Sequence, residues 1–167
     1  MANVDEFKAH SGPDVTLENV RIMYRNFMGQ KGMYNEEGER SFNIVIDDPV
    51  MATTMLEDGL NLKPLLDEDE RVVGHHMLVR INYKGRPPRI IRVTQDGQRQ
   101  TSLEQRTVGS LDSVTIEKAD ITLGTWIWRP EPLPNMSAYC NVMYVHVIED
   151  PLDAKYASLL EGSYVGD

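Results

Sequence analysis

One cysteine, two tryptophans and three phenylalanines are all that a chain of 167 residues holds of those types. A lone Cys140 excludes an internal disulfide framework and any zinc site built from cysteines alone. Inside an apolar run it reads as a buried, inert thiol. No stretch reaches the roughly 18 uncharged apolar residues of a membrane helix. The first eight residues lack the basic start and apolar core of a signal peptide, so the expectation is a cytoplasmic protein with no membrane partner. Also missing are a phosphate-cradling loop ending in Gly-Lys-Ser/Thr, a Gly-x-Gly-x-x-Gly turn and a Gly-x-Ser-x-Gly elbow. His75 and His76 are adjacent, which on an extended chain sends them to opposite faces, and no further ligands stand at metal spacing. The acidic run Asp67 to Glu70 lacks the glycine and spaced oxygens of a calcium loop. These absences describe a protein that is not an enzyme and needs neither cofactor nor metal.

Positive charge is also scarce, with 17 Lys+Arg against 26 Asp+Glu and a net charge of −9. Its distribution is uneven. Between Arg80 and Arg106 seven basic residues face two acidic ones, a local surplus of +5 that leaves −14 on the rest. Screening confines electrostatic attraction to about 8–10 Å, so the local balance governs what a surface binds. One basic segment in an acidic chain points to a restricted anion-binding face.

Hydrophobic patterning is mostly of period two. Val20, Ile22 and Tyr24 alternate with Arg21, Met23 and Arg25 in a first strand. Residues 29–40, rich in glycine and glutamate with Met33 and Tyr34 at the tip, suit a long hairpin loop, and Ser41–Asp47 is a second strand. Asp47 or Asp48 before Pro49 starts a short helix that Gly59 stops. Residues 60–74 read as a loop dipping into the core, Met77–Lys84 as a clean strand, and Arg89–Thr94 as another. Ser102 with Gln105 resembles a capping box, which predicts a short helix to Leu111. Val114–Trp128 and Ala138–Ile148 are long strands separated by the proline-rich segment 129–135. In the last strand Tyr139, Asn141, Met143, Val145 and Val147 are expected on one side. Residues 1–13 read as a loose arm, 14–150 as the folded domain, and 151–167 as a C-terminal helix and acidic tail.

About six strands with few helices exclude a doubly wound parallel sheet. The expected fold is mainly β with short helices, an OB-fold-like antiparallel β-barrel with long loops.

What remains chemically is cations and aromatics on strands, the two ingredients that hold single-stranded nucleic acid: charges track the phosphates and ring faces stack the bases. The candidate contacts are Arg21, Arg25, Arg80, Lys84, Arg86, Arg89 and Arg92 for phosphates, and Tyr34, Trp126 and Trp128 for bases. The bland reading stands beside each: alternating arginines on a half-exposed strand can simply face solvent, and the two tryptophans can equally close the barrel core. Tyr83, Tyr139 and Phe42 read as core. No basic helix is available for a duplex major groove, so a single strand is the favoured partner.

Four stretches resemble the single-stranded DNA-binding proteins of tailed bacteriophages: Leu17–Ile22, Arg40–Asp47, Val79–Arg89 and Ala138–Asp150. The likeness spans roughly residues 15 to 156. It implies an OB-type barrel that coats single-stranded DNA during phage replication, recombination or repair in the cytoplasm of the infected bacterium, without sequence preference. It also implies partners among phage or host replication and recombination proteins, and a capacity for homo-oligomers. The diluted acidity of the C-terminal end leaves tail-mediated recruitment open beside a terminal helix packed on the barrel. A second reading, motivated by the −14 outside the basic segment, is an acidic phage protein that binds a host or replisome protein as a host-defence inhibitor or adaptor.

Overall fold

A computed structural model describes residues 6–33, 35–94 and 97–148 of the chain. Nine strands and one α-helix are formed among them: β1 (His10–Ser11), β2 (Val15–Asn26), β3 (Arg40–Ile46), α1 (Pro49–Asp58), β4 (Leu62–Leu66), β5 (Val72–Ile81), β6 (Arg89–Val93), β7 (Gln100–Leu103), β8 (Thr115–Ile127) and β9 (Met136–Ile148). A 3-10 turn at Val108–Asp112 precedes β8.

Five strands close into a barrel. The neighbours run β8–β2–β3–β5–β9, and β9 returns to β8 along twelve paired positions. All contacts are antiparallel except β5–β9, where Val79 pairs with Ala138 and Arg80 with Tyr139 in parallel. This is the closure of an OB-fold-like barrel. The β6–β7 hairpin extends β9 beyond the end of β5, and β4 lines the other end of β5. Inward side chains fill the barrel: Phe42, Val79, Leu123, Met143 and Val145 are fully buried, and the rings of Phe27 and Phe42 stack at 5.2 Å.

The helix forms where its punctuation places it. Asp48 accepts a bond from the Val50 amide at 2.9 Å, Pro49 opens the first turn, and Gly59 ends it in left-handed conformation at φ 109°. Elsewhere the structure corrects the expected elements. Ser102 and Leu103 belong to β7, paired with Ile91 and Ile90, so sheet pairing prevails over the capping-box signal. The segment taken as a loop contains β4, although Leu60 and Leu62 do dip into the core. β5 begins at Val72, ahead of the expected strand, and includes His75 and His76. Within the segment expected to be a loose arm, His10 and Ser11 pair with Ile127 and Trp126, and the Gly12 amide bonds the Thr125 carbonyl at 3.0 Å. The expected C-terminal helix at 151–167 lies outside the described residues.

Two further corrections come from irregularities in long strands. β2 shifts register between Met23 and Asn26, with Tyr24 at φ 52°. Tyr24 therefore leaves the inward face of Ile22 and stands 64% exposed. β9 carries an extra residue between Cys140 and Val142 opposite β8. Ala138 and Cys140 consequently share the inward side with Met143, Val145 and Val147, while Tyr139 and Asn141 turn outward. A single inserted residue exchanges the faces of everything on one side of it.

Candidate nucleic-acid interface

The outer face of the barrel wall is ordered by register. Across β2, β3, β5, β9 and β8 one row reads Asn26, Ser41, Arg80, Tyr139 and Gly124. Arg80 sits in the middle of that row. Gly124 is required there, because the Tyr139 ring occupies the space that a Cβ on it would fill.

Three adjoining depressions of about 470, 210 and 610 Å3 follow this wall, and Arg80 lines all three. The first reaches from Tyr24 and Lys63 past His76 to Leu78. The second runs over Leu78 to Trp128. The third continues along Lys84 and Arg86 to Trp126 and Asn141. Shared residues make the groove continuous: Asn61 and Leu78 join the first two, and Ser137 and Ala138 join the others.

The cations along this groove are available. Among the described residues Arg80, Lys84 and Arg86 form no ion pair and no side-chain hydrogen bond. Arg40, Lys63, Arg80, Lys84 and Arg86 line the groove against the carboxylates Glu39 and Asp14, so the groove is locally positive although the chain is acidic. His76 adds no charge at neutral pH. Burial, the neighbouring Lys63 ammonium and His75 hold its pKa below the usual imidazole value, and its Nδ1 is joined to Asn43 at 2.7 Å.

The aromatics are also on the outside. Trp126 and Trp128 are 42% and 41% exposed and stand apart from the core cluster. One face of Trp128 lies under the Arg129 guanidinium at 4.3 Å. That cation is held by the carbonyls of Pro132 at 3.0 Å and Pro134 at 2.9 Å, so the proline-rich loop and the indole brace each other. The root of the β2–β3 loop is braced too: the Asp112 carboxylate accepts from the amides of Phe27 and Met28, both at 2.9 Å.

The remaining residues singled out in the sequence lie elsewhere. Arg21 pairs with Asp47 at 3.0 Å. Arg25 donates to the carbonyls of Leu111 and Val114, which joins β2 to the 3-10 turn. Arg89 is exposed at the start of β6 beside Val142, and Arg92 is half-buried beside Val145. Tyr34 lies outside the described residues. Of the groups read as core, Phe42 is buried and Tyr83 packs at the core's edge with Arg40 over its ring at 5.6 Å. Tyr139 is the exception, because it lines the groove. Sequence reasoning missed Tyr24, Lys63, Asn61 and Tyr139 as groove residues; no alternation signal locates them, since strand irregularities and the unrecognised β4 place them.

Burial pushes the Cys140 thiol up to about 12, so it remains protonated and unreactive. Among the described residues no cluster of three His, Cys, Asp or Glu side chains is arranged to hold a metal, and no helix is long and apolar enough to cross a membrane.

The model of the family described as "Putative phage ssDNA-binding domain" matches residues 6–163. No curated protein matches the sequence. Similar solved structures include three of the single-stranded DNA-binding protein from bacteriophage Enc34, each 12% identical and each covering 83% of this chain. The complex with ssDNA is covered over 88% of its length at a TM-score of 0.49. The C-terminal truncation is covered over 87% at 0.46, and a third structure over 83% at 0.47.

Proposed function

We propose, from the premise that this chain belongs to the family of phage single-stranded DNA-binding domains, a path for the strand across its barrel. Single-stranded DNA binding is the general function of such a domain, which is a binding module and not an enzyme. The strand follows the outer wall between the β2–β3 loop and the proline-rich β8–β9 loop, where OB barrels engage oligonucleotides. Arg80, Lys84 and Arg86 neutralise successive phosphates, and Trp126 and Trp128 receive bases on their exposed faces. The observation that carries this reading is Arg80, unpaired and lining every part of one continuous groove. Arg89 extends the track towards β6, whereas Arg92, half-buried and in register with the inward Val145, lies on the other side of β6 and is left out of the path. Tyr34, on the loop at the opposite end, is a further stacking candidate. Arg21 and Arg25 already have internal partners and are left out of the path.

Because phosphates and ring faces are common to every nucleotide, binding along most of this track is tolerant of sequence. The role that follows is to coat and protect transient single strands in phage replication, recombination or repair, in the cytoplasm of the infected cell. Replication and recombination proteins, and further copies of this chain, are the partners such a role invites.

The test is oligo(dT) binding as a function of salt. Each neutralised phosphate on a single strand contributes a slope of about 0.7 in log affinity against log salt, so three cations give about 2. Replacing Arg80, Lys84 and Arg86 together by glutamate is expected to lower affinity on the order of 100-fold or more, with an unchanged thermal melt. Unaltered affinity in that variant refutes the path.

A further inference from the structure

The end of the groove between β2, β3, β5 and β4 has a different chemistry from the rest. It is a depression of about 470 Å3. The outward Tyr24 stands at its side, its ring set edge-on against His76 at 5.7 Å. Beside the Tyr24 and Ser41 hydroxyls, three nitrogen donors line it with no partner among the described residues: the Asn61 carboxamide, the Lys63 ammonium and the Arg80 guanidinium. One carboxylate, Glu39, lines it as well. Its Oε2 accepts a long 3.3 Å bond from the Glu36 amide, which leaves most of its accepting capacity unused. Asn26 and Asn43 are already engaged, by Gln30 and by His76. The free groups are therefore one acceptor-only carboxylate set among cationic donors, beside an exposed ring.

Phosphate does not explain the carboxylate, which would repel it. A base does. Among the four bases, guanine alone presents two neighbouring donors, N1–H and the N2 amino group, together with two acceptors, O6 and N7. A carboxylate accepts from the donor pair, while Lys63, Arg80 or Asn61 donate to O6 and N7. Adenine and cytosine turn an amino group towards the cations where guanine has O6. Thymine offers the carboxylate a single N–H. Unstacked bases in single strands are read in this way, by hydrogen bonds to their edges with an aromatic face alongside.

We infer that this depression is a guanine subsite, one selective position set in an otherwise tolerant track. Glu39 is its discriminating residue and Tyr24 its stacking face. The inference rests on the path proposed above.

The experiment compares competition binding of d(GTT)5, d(ATT)5, d(CTT)5 and (dT)15, with d(ITT)5 removing only the N2 amino group. A good bidentate contact separates right from wrong base by at least about fivefold. The wild-type chain is expected to bind d(GTT)5 at least about fivefold tighter than d(ATT)5 or d(CTT)5, and inosine is expected to lose part of that advantage. Glu39→Gln is expected to abolish the guanine advantage without lowering affinity for (dT)15, because it removes a negative charge from the groove. Equal affinity for all sequences overturns the subsite and leaves the path standing. A guanine preference that survives Glu39→Gln overturns the assignment to this depression. Failure to bind any of the oligonucleotides overturns the path and the subsite together.

Discussion

Arg21 and Arg25 on β2, and Arg80, Lys84 and Arg86 in and after β5, have similar spacing along the chain and meet different neighbours. Arg21 finds Asp47 across the sheet, and Arg25 reaches two backbone carbonyls near the 3-10 turn. The second group forms no ion pair among the described residues and opens onto a continuous groove. A guanidinium already tied to a carboxylate or to backbone carbonyls is a structural clasp. One whose donors face only water is a binding group, because exchanging water for phosphate releases counterions as well.

The contrast is exposed most forcefully by reversing charge in each region. Glutamate at Arg80, Lys84 and Arg86 is expected to weaken oligo(dT) binding on the order of 100-fold or more, whereas Arg21→Glu with Arg106→Glu, both ion-paired outside the groove, is expected to leave it within about threefold at physiological salt. Isothermal titration of both variants decides it; equal losses would mean that net charge alone drives binding. Next come the rings. Trp126→Ala and Trp128→Ala are each expected to lower affinity about tenfold, the order of one stacked base, with near-native melting, and fluorescence titration measures this. A smaller effect, of another kind, belongs to Arg25. Arg25→Ala removes two bonds to backbone carbonyls, one of them part-buried, and is expected to cost about 1–2 kcal/mol of stability by urea denaturation with affinity changed less than twofold. Arg21→Ala closes the series: its pair with Asp47 is more than 60% exposed on both sides, so less than about 1 kcal/mol is expected.

Cys140 marks the inside of the wall as clearly as Arg80 marks the outside. With its pKa raised by burial to about 12, the folded thiol stays protonated at pH 8 and is expected to react with thiol reagents only on unfolding. Above pH 9 the unfolded chain loses this proton first. The unfolded state then binds fewer protons than the folded one, so stability is expected to fall as pH rises towards 12.

Much of the architecture could be read from residue order. Asp48, Pro49 and Gly59 are a start signal, a first-turn residue and a left-handed stop, and each acts locally, so α1 lies where they place it. Strand periodicity marked β3, β6 and the second half of β5, and the surplus of positive charge from Arg80 onward marked the segment that supplies much of the groove. β7 was hidden because its partner lies across a turn and outweighs a local helix signal. β4 was hidden because Pro64 and a short apolar run do not alternate.

The faces of the long strands are the deeper lesson. Alternation assigns Tyr24 and Tyr139 to the interior, and both stand outside, since one irregular step in β2 and one extra residue in β9 exchange the sides. Backbone irregularities of this kind are settled by the partner strand, which has no fixed offset in the sequence. Composition, local caps and charge spacing act over a few residues, and so the helix, most strands and the basic segment were already present in the order of the amino acids. Which cations are free, which rings face outward, and that Glu39 shares a depression with Lys63 and Arg80 depend on strands distant in the chain meeting in one register. That register comes from burying a single common core and from nothing local.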